Sequence, residues 1–142
     1  MTTMLKKILV GLDGSQGSFK ALGEAMLLAI LAGTEVHTIS VEEVPRYPGT
    51  IDEVIAGKEA ADTVYASVIE KAQSMAKDQG VTLKPFVMMG HEVKTIVEFV
   101  SQNQYDLLVI GFMGHSALYD RVMGGTCQAL VRLTPCPVLV VK

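Results

Sequence analysis

Five short apolar runs divide this chain, and each of the first four is followed by a stretch whose apolar residues return at the spacing of a helix face. The runs are Lys7–Leu12 (KILVGL), Glu35–Val41 (EVHTISV), Leu83–Met89 (LKPFVMM), Leu107–Ile110 (LLVI) and Val138–Val141 (VLVV). They are aliphatic or β-branched and too short for helices, so they read as strands. Between them, Phe19, Leu22, Ala25, Met26, Ala29 and Ile30 mark a helix that Gly33 ends. Val54, Ala61, Val64, Val68, Ala72 and Met75 mark a longer helix closing near Gly80, after a loop holding Pro45, Pro48 and Gly49. Val93, Ile96, Val97 and Val100 give a third, and Thr126 to Leu133 a fourth. Strands that alternate with helices and are apolar on both faces imply a parallel sheet covered on both sides, a doubly wound α/β fold. Pro85 has no N–H to donate, which puts the third strand at a sheet edge.

A chain of 142 residues has the size of one ordinary domain, 1–142, and buries roughly two-thirds of its unfolded surface. Its 49% hydrophobic and 19% charged residues exclude a disordered chain. Twelve basic against fifteen acidic side chains give a net charge of −3, which removes any bulk electrostatic case for nucleic acid or an anionic membrane. Cys127 and Cys136 match no zinc or C-x-x-C spacing and read as free thiols of a reducing compartment. Asp13 and Gly14 interrupt the first apolar run too early for a signal peptide. The stretch Ala25 to Ala32 falls far short of the roughly twenty residues needed to span a bilayer. A cytoplasmic protein is expected.

Doubly wound sheets bind ligands beyond the carboxyl ends of their strands, at the point where strand order reverses. The loops after the first, second and fourth strands therefore come under scrutiny. After the fourth, Gly111-Phe-Met-Gly114 is followed by nine residues and then Gly124-Gly125-Thr126 at a helix start. Glycines allow close backbone approach and a helix N-terminus offers unpaired N–H groups, so these are the parts of an anion nest. No Gly-Lys-Ser/Thr of a Walker A loop follows, and G-x-G-x-x-G is absent, so phosphates would rest on backbone amides and hydroxyls. Gly111 and Gly114 also read as a plain strand-end turn. Asp13 has two readings as well: an acceptor for ribose hydroxyls, or a turn former before the Ser15 cap.

Other candidates carry less. His115 follows the glycines and could reach an anion, while Asp120 and Arg121 could assist phosphate or Mg²⁺ or form a solvated pair. Ser116 lacks a G-x-S-x-G elbow, and His37 and His91 have no neighbouring ligand cluster for a metal. The eight methionines, Met88 and Met89 among them, read as adaptable core filler. No His or Glu in the glycine loop is set to act as a general base, so hydrolysis of any phosphate-bearing ligand held there is expected to be slow or absent.

The opening ILVGLDGS, the spacing G-x2-G-x9-G from Gly111 through Gly114 to Gly124, and the ending PCPVLVVK together resemble the universal stress protein family over essentially the whole chain. The resemblance implies a five-stranded parallel sheet of order 3-2-1-4-5, of the adenine nucleotide alpha hydrolase-like kind, in a protein that commonly dimerises. One branch of that family binds ATP through this glycine pattern and another lacks it. Carried over, the resemblance implies that Leu12 and Asp13 meet ribose and adenine, that Val41 touches adenine, and that Gly111, Gly114, Gly124 and Gly125 cradle phosphates. Gly125 departs from the pattern: the ATP-binding form usually has Ser or Thr there, and here the hydroxyl comes one residue later on Thr126. One helical residue is a rotation of about 100°, so Thr126 does not simply substitute. The loss of one neutral hydrogen bond is on the order of 1 kcal/mol, about fivefold in affinity.

The leading expectation is a homodimeric ATP-binding protein, with Mg²⁺ on the nucleotide, that acts as a switch in a stress response. The rival is an interaction module of the same fold that binds AMP or no nucleotide. A flavin carrier lacks a Ser/Thr-rich loop after the first strand, and a receiver domain lacks a second acidic residue beside Asp13. The last strand, followed only by Lys142, presents an apolar edge that antiparallel pairing with a second copy would cover; the domain's own loops are the alternative.

Overall fold

The computed structural model describes residues 5–43, 51–112 and 125–142, and for 51–62 the backbone alone. The elements run β1 (Ile8–Gly11), α1 (Gln16–Ala32), β2 (Val36–Glu42), α2 (Ile51–Gln79), β3 (Leu83–Met89), α3 (Glu92–Asn103), β4 (Leu107–Gly111), α4 (Gly125–Leu133) and β5 (Val138–Val141). All pairings are parallel and the order is β3-β2-β1-β4-β5, so the expected doubly wound sheet of order 3-2-1-4-5 is present. β3 lies at an edge, where Pro85 opposite Thr38 interrupts no central ladder.

Successive side chains of a strand point to opposite faces, and the two cores follow from that alternation. On one face Ile8, Val10, Leu12, Val36 and Val109 pack with Leu22, Ala25 and Ala29 of α1 and Ala72 and Ala76 of α2. On the other, Leu9, Ile39, Leu108 and Ile110 pack with Ile96 and Val100 of α3 and Leu130 of α4. Five central-strand side chains, Ile8, Leu9, Val10, Leu108 and Val109, are fully buried, as a sheet covered on both sides demands.

Two helix faces differ from the periodicity. Ile30 is 48% exposed and, with Leu27 and Leu31, forms an apolar stripe on the outer side of α1, because Ser18, Ala21 and Leu22 already complete the inward face. In α2, Val64 is exposed and Tyr65 is buried, so the inward stripe runs Tyr65, Ala72, Ala76. Met88 packs against the second core, as a filler methionine would. No helix among the described residues is long and apolar enough to cross a membrane.

Candidate functional site

β1 has β2 on one side and β4 on the other, so the chain reverses direction of winding beside it. Beyond the carboxyl ends of these strands lies a cavity of about 680 Å³. Ser15 at the start of α1, Glu92 at the start of α3 and Gly125 and Thr126 in the first turn of α4 all line it. Three helix N-termini thus bring partial positive charge to one space.

The loop after β1 is shaped by its own short side chains. Asp13 Oδ1 accepts the Ser15 N–H at 2.9 Å, and Ser15 Oγ accepts the Ser18 N–H at 3.1 Å to cap α1. Gly14 between them has φ of 88°, and a Cβ there would lie 3.0 Å from Val68 Cγ2, so the turn requires glycine. The turn-forming reading of Asp13 is borne out by its hydrogen bond to the Ser15 N–H, and the residue also lines the cavity.

Val41, 7% exposed, is the penultimate residue of β2 and lines the cavity wall. Leu12 differs: its side chain belongs to the core under α1, its N–H donates to the Ile39 carbonyl at 2.9 Å, and its own carbonyl accepts the Ser40 hydroxyl at 2.6 Å. Gly111 ends β4 at the cavity, and Gly125 and Thr126 face it from α4. Helix α4 is already formed at Gly125, one residue before the periodicity starts it, so the Thr126 hydroxyl sits a full helical step from the position it would need to fill. Gly114, His115 and Gly124 lie outside the described residues, as do Ser116, Asp120 and Arg121.

The cavity holds residues that no motif marked. Glu42, Glu43 and Glu92 join Asp13 on its wall, and its described lining contains no lysine or arginine. Glu43 Oε1 accepts the Glu92 N–H at 3.0 Å and so takes the place of a side-chain cap for α3, which His91 does not supply. Tyr65 donates its hydroxyl to the Val41 carbonyl at 3.2 Å. Burial first, and then the carboxylates of Glu42, Asp13, Glu92 and Glu43, push the Tyr65 phenol up to about 12. Burial also pushes up the thiol of Cys127, which faces the cavity from α4. The only sequence signal for Tyr65 was its place one residue from the apolar Val64 on α2.

The described histidines, His37 and His91, do not line this cavity. His37 is buried at the opposite end of the sheet, with Nδ1 2.7 Å from the Tyr105 hydroxyl and Nε2 2.6 Å from Glu35 Oε1. Among the described residues no group of three or more His, Cys, Asp or Glu is placed to hold a metal ion.

A model of the universal stress protein family matches residues 4–142. A universal stress protein of Methanocaldococcus jannaschii is 30% identical over 149 residues, an alignment spanning 98% of this chain and 83% of that protein. Among solved structures, the universal stress protein UspA from Lactobacillus plantarum superposes with a TM-score of 0.84 at 23% identity, covering 99% of this chain and all of its own. A universal stress protein in complex with cAMP superposes with a TM-score of 0.76 at 24% identity, covering 99% of each chain. At these identities the two structures speak to the fold alone. The chain belongs to the universal stress protein family.

Proposed function

We propose that the cavity at the β1/β4 switch point binds an adenine nucleotide and that occupancy is read by other proteins as a stress signal. The observation that carries this is the convergence of three helix N-termini on a space walled by Asp13, Val41 and Gly111. In this reading Leu12, through its backbone, and Asp13 meet the ribose and adenine side, Val41 meets the base, and Gly111, Gly125 and Thr126 lie along the phosphates. Gly114, Gly124 and His115 would complete the phosphate side. The cAMP held by a protein of the same fold supports the nucleotide class.

Four carboxylates on the wall favour a ligand of low negative charge, and Gly125 removes one phosphate contact, so AMP is the second reading beside ATP. With no cluster of three or more metal-ligating side chains among the described residues, Mg²⁺ would arrive on the phosphates of ATP and lower their repulsion from the wall. The open edge at β5, where Leu139 is 37% exposed, supports a homodimer paired through that strand. Two free cysteines fit a reducing cytoplasm.

The test is thermal unfolding of stripped protein with AMP, ATP, ATP with Mg²⁺, and FMN. A ligand at a hundred times its Kd adds about 2.7 kcal/mol, readily visible as a shift. Stabilisation by adenine nucleotides and none by FMN is expected. No shift with any adenine nucleotide would leave the interaction module as the function of this fold.

A further inference from the structure

The outer face of α1 carries two features that the chain's own packing does not explain. Leu27, Ile30 and Leu31 are exposed, Leu31 to 84%, while Met26 and Ala29 fill the inward side, so the last two turns of the helix are apolar all round. A helix of that composition is ordinarily a buried one. The second feature is Gly23, which lies seven residues, or two turns, before Ile30 and so on the same side of the helix. Glycine in a helix interior is less favourable than alanine, yet a Cβ on Gly23 would meet nothing within 4 Å. Nothing inside the chain needs the bare backbone there. It is a hollow beside three exposed aliphatic side chains, on a face whose charges are one lysine, Lys20, and one glutamate, Glu24.

We propose that this face of α1 docks on the same face of a second copy, with the two helices antiparallel about Leu27. Such a two-fold contact must be complementary to itself, and the spacing of these residues makes it so. Leu27 meets Leu27, and Ile30 of one copy comes over Gly23 of the other, within one residue of the same level. Lys20, seven residues before Leu27, reaches the level of Gly33 and Thr34, where α1 of the other copy has ended. The charges agree with this placement. No basic residue lies in the last turn of α1, so the partial negative charge of that end has no cation from its own helix. The exposed Lys20 ammonium, which donates to the Lys142 carbonyl at 3.0 Å and has further protons to give, supplies it from the other copy, and the two-fold supplies it twice. A lipid surface fits less well, because interfacial helices carry several Lys or Arg beside their apolar face and α1 has Lys20 alone. A stable interface takes about 800 Å² and roughly 20–30 residues from each partner, which three large side chains fall short of. The contact is therefore a weak one that fills as concentration rises, and it does not use the β5 edge.

The experiment is sedimentation equilibrium of the full chain from micromolar to millimolar concentration, with urea unfolding of each variant beside it. The average mass of the unaltered chain rises across that range. Leu31→Lys weakens the association by about tenfold or more, the effect of withdrawing one buried leucine, and leaves the urea midpoint where it was, since Leu31 is exposed in the single chain. Gly23→Gln fills the hollow and weakens the association too, yet raises the urea midpoint, because glutamine is the better helix former. A glycine with a merely structural role would not move the two readings in opposite directions. Leu139→Lys, placed on the β5 edge, leaves this step of association intact. A mass that stays constant over the whole range overturns the proposal, as does association in Leu31→Lys and Gly23→Gln equal to that of the unaltered chain. Association lost in Leu139→Lys alone overturns it in favour of the strand edge. Flotation with phosphatidylcholine vesicles that is abolished by Leu31→Lys overturns it in favour of a membrane surface.

Discussion

A Cβ on Gly111 would lie 2.7 Å from both the carbonyl carbon and the carbonyl oxygen of Gly17, closer than side chains approach a backbone. The end of β4 is thus pressed against the first turn of α1, and the glycine spaces two elements that wall the cavity. Gly111→Ala must push them apart. Overpacking of this kind costs about 1–3 kcal/mol, and urea unfolding without ligand should register it. An unchanged midpoint would mean that Gly111 serves a ligand alone.

Gly125 is the opposite case, since a Cβ there meets nothing within 4 Å. Gly125→Ser therefore adds a hydroxyl at the start of α4 without a clash. Calorimetric titration of ATP with Mg²⁺ should show about fivefold tighter binding, one neutral hydrogen bond's worth. Gly125→Ala is the control: it stabilises the helix modestly but supplies no donor or acceptor, so its affinity should stay at the starting value. Equal gains from Ala and Ser would assign the effect to helix order instead.

These two glycines show what sequence reading could and could not reach. The apolar runs of the central strands were the strongest signals because those strands are buried on both sides, which leaves little freedom in residue choice from Ile8 to Val10 or Leu107 to Ile110. The strand order came through the family resemblance, since periodicity says nothing of which strand lies beside which. The helix faces were less legible where a polar residue does core work: Tyr65 turns inward because its hydroxyl has the Val41 carbonyl to meet, a partner 24 positions away. The acidic wall had no motif at all. Asp13 follows β1, Glu42 ends β2 and Glu92 opens α3, and only the sheet's topology brings them together. His37 and Tyr105, 68 positions apart, are joined in the same way.

The Tyr105 hydroxyl and His37 Nδ1 predict an alkaline weakness. Burial, followed by the Glu35 carboxylate, pushes the Tyr105 phenol up to about 12 from its ordinary 10.0. The folded state thus favours the protonated phenol, and its contribution is fully present below pH 10.0 and lost as the pH rises toward about 12. Tyr65 behaves in the same sense over the same range. Urea unfolding followed from pH 9 to 12 should show stability falling, with a shallower fall in Tyr105→Phe. The slope should flatten further when Tyr65→Phe is added. A variant slope identical to that of the unaltered chain would show that the phenol does not carry the effect.

Asp106 and Ser15 separate stability from binding, because they cap backbone groups at opposite ends of the sheet. Asp106 Oδ2 accepts the N–H groups of Lys6 and Lys7, both at 2.9 Å, and its own N–H donates to the Lys7 carbonyl at 2.9 Å. It ties the entry of β1 to that of β4, far from the cavity. Hydrogen bonds to a charged group contribute about 1.5–3 kcal/mol, so Asp106→Ala should lose stability on that scale and Asp106→Asn less. Nucleotide affinity of the folded protein should not move in either. Ser15→Ala removes the α1 cap at a cost of about 1 kcal/mol, and it does so on the cavity wall, where Asp13 is held by the Ser15 N–H. There the loss of stability should come with weaker AMP binding, because the loop that presents the Asp13 carboxylate loosens. If Asp106→Ala weakened AMP as much as Ser15→Ala, the ligand would be sensing global stability, and the β1/β4 switch point would lose its claim as the site.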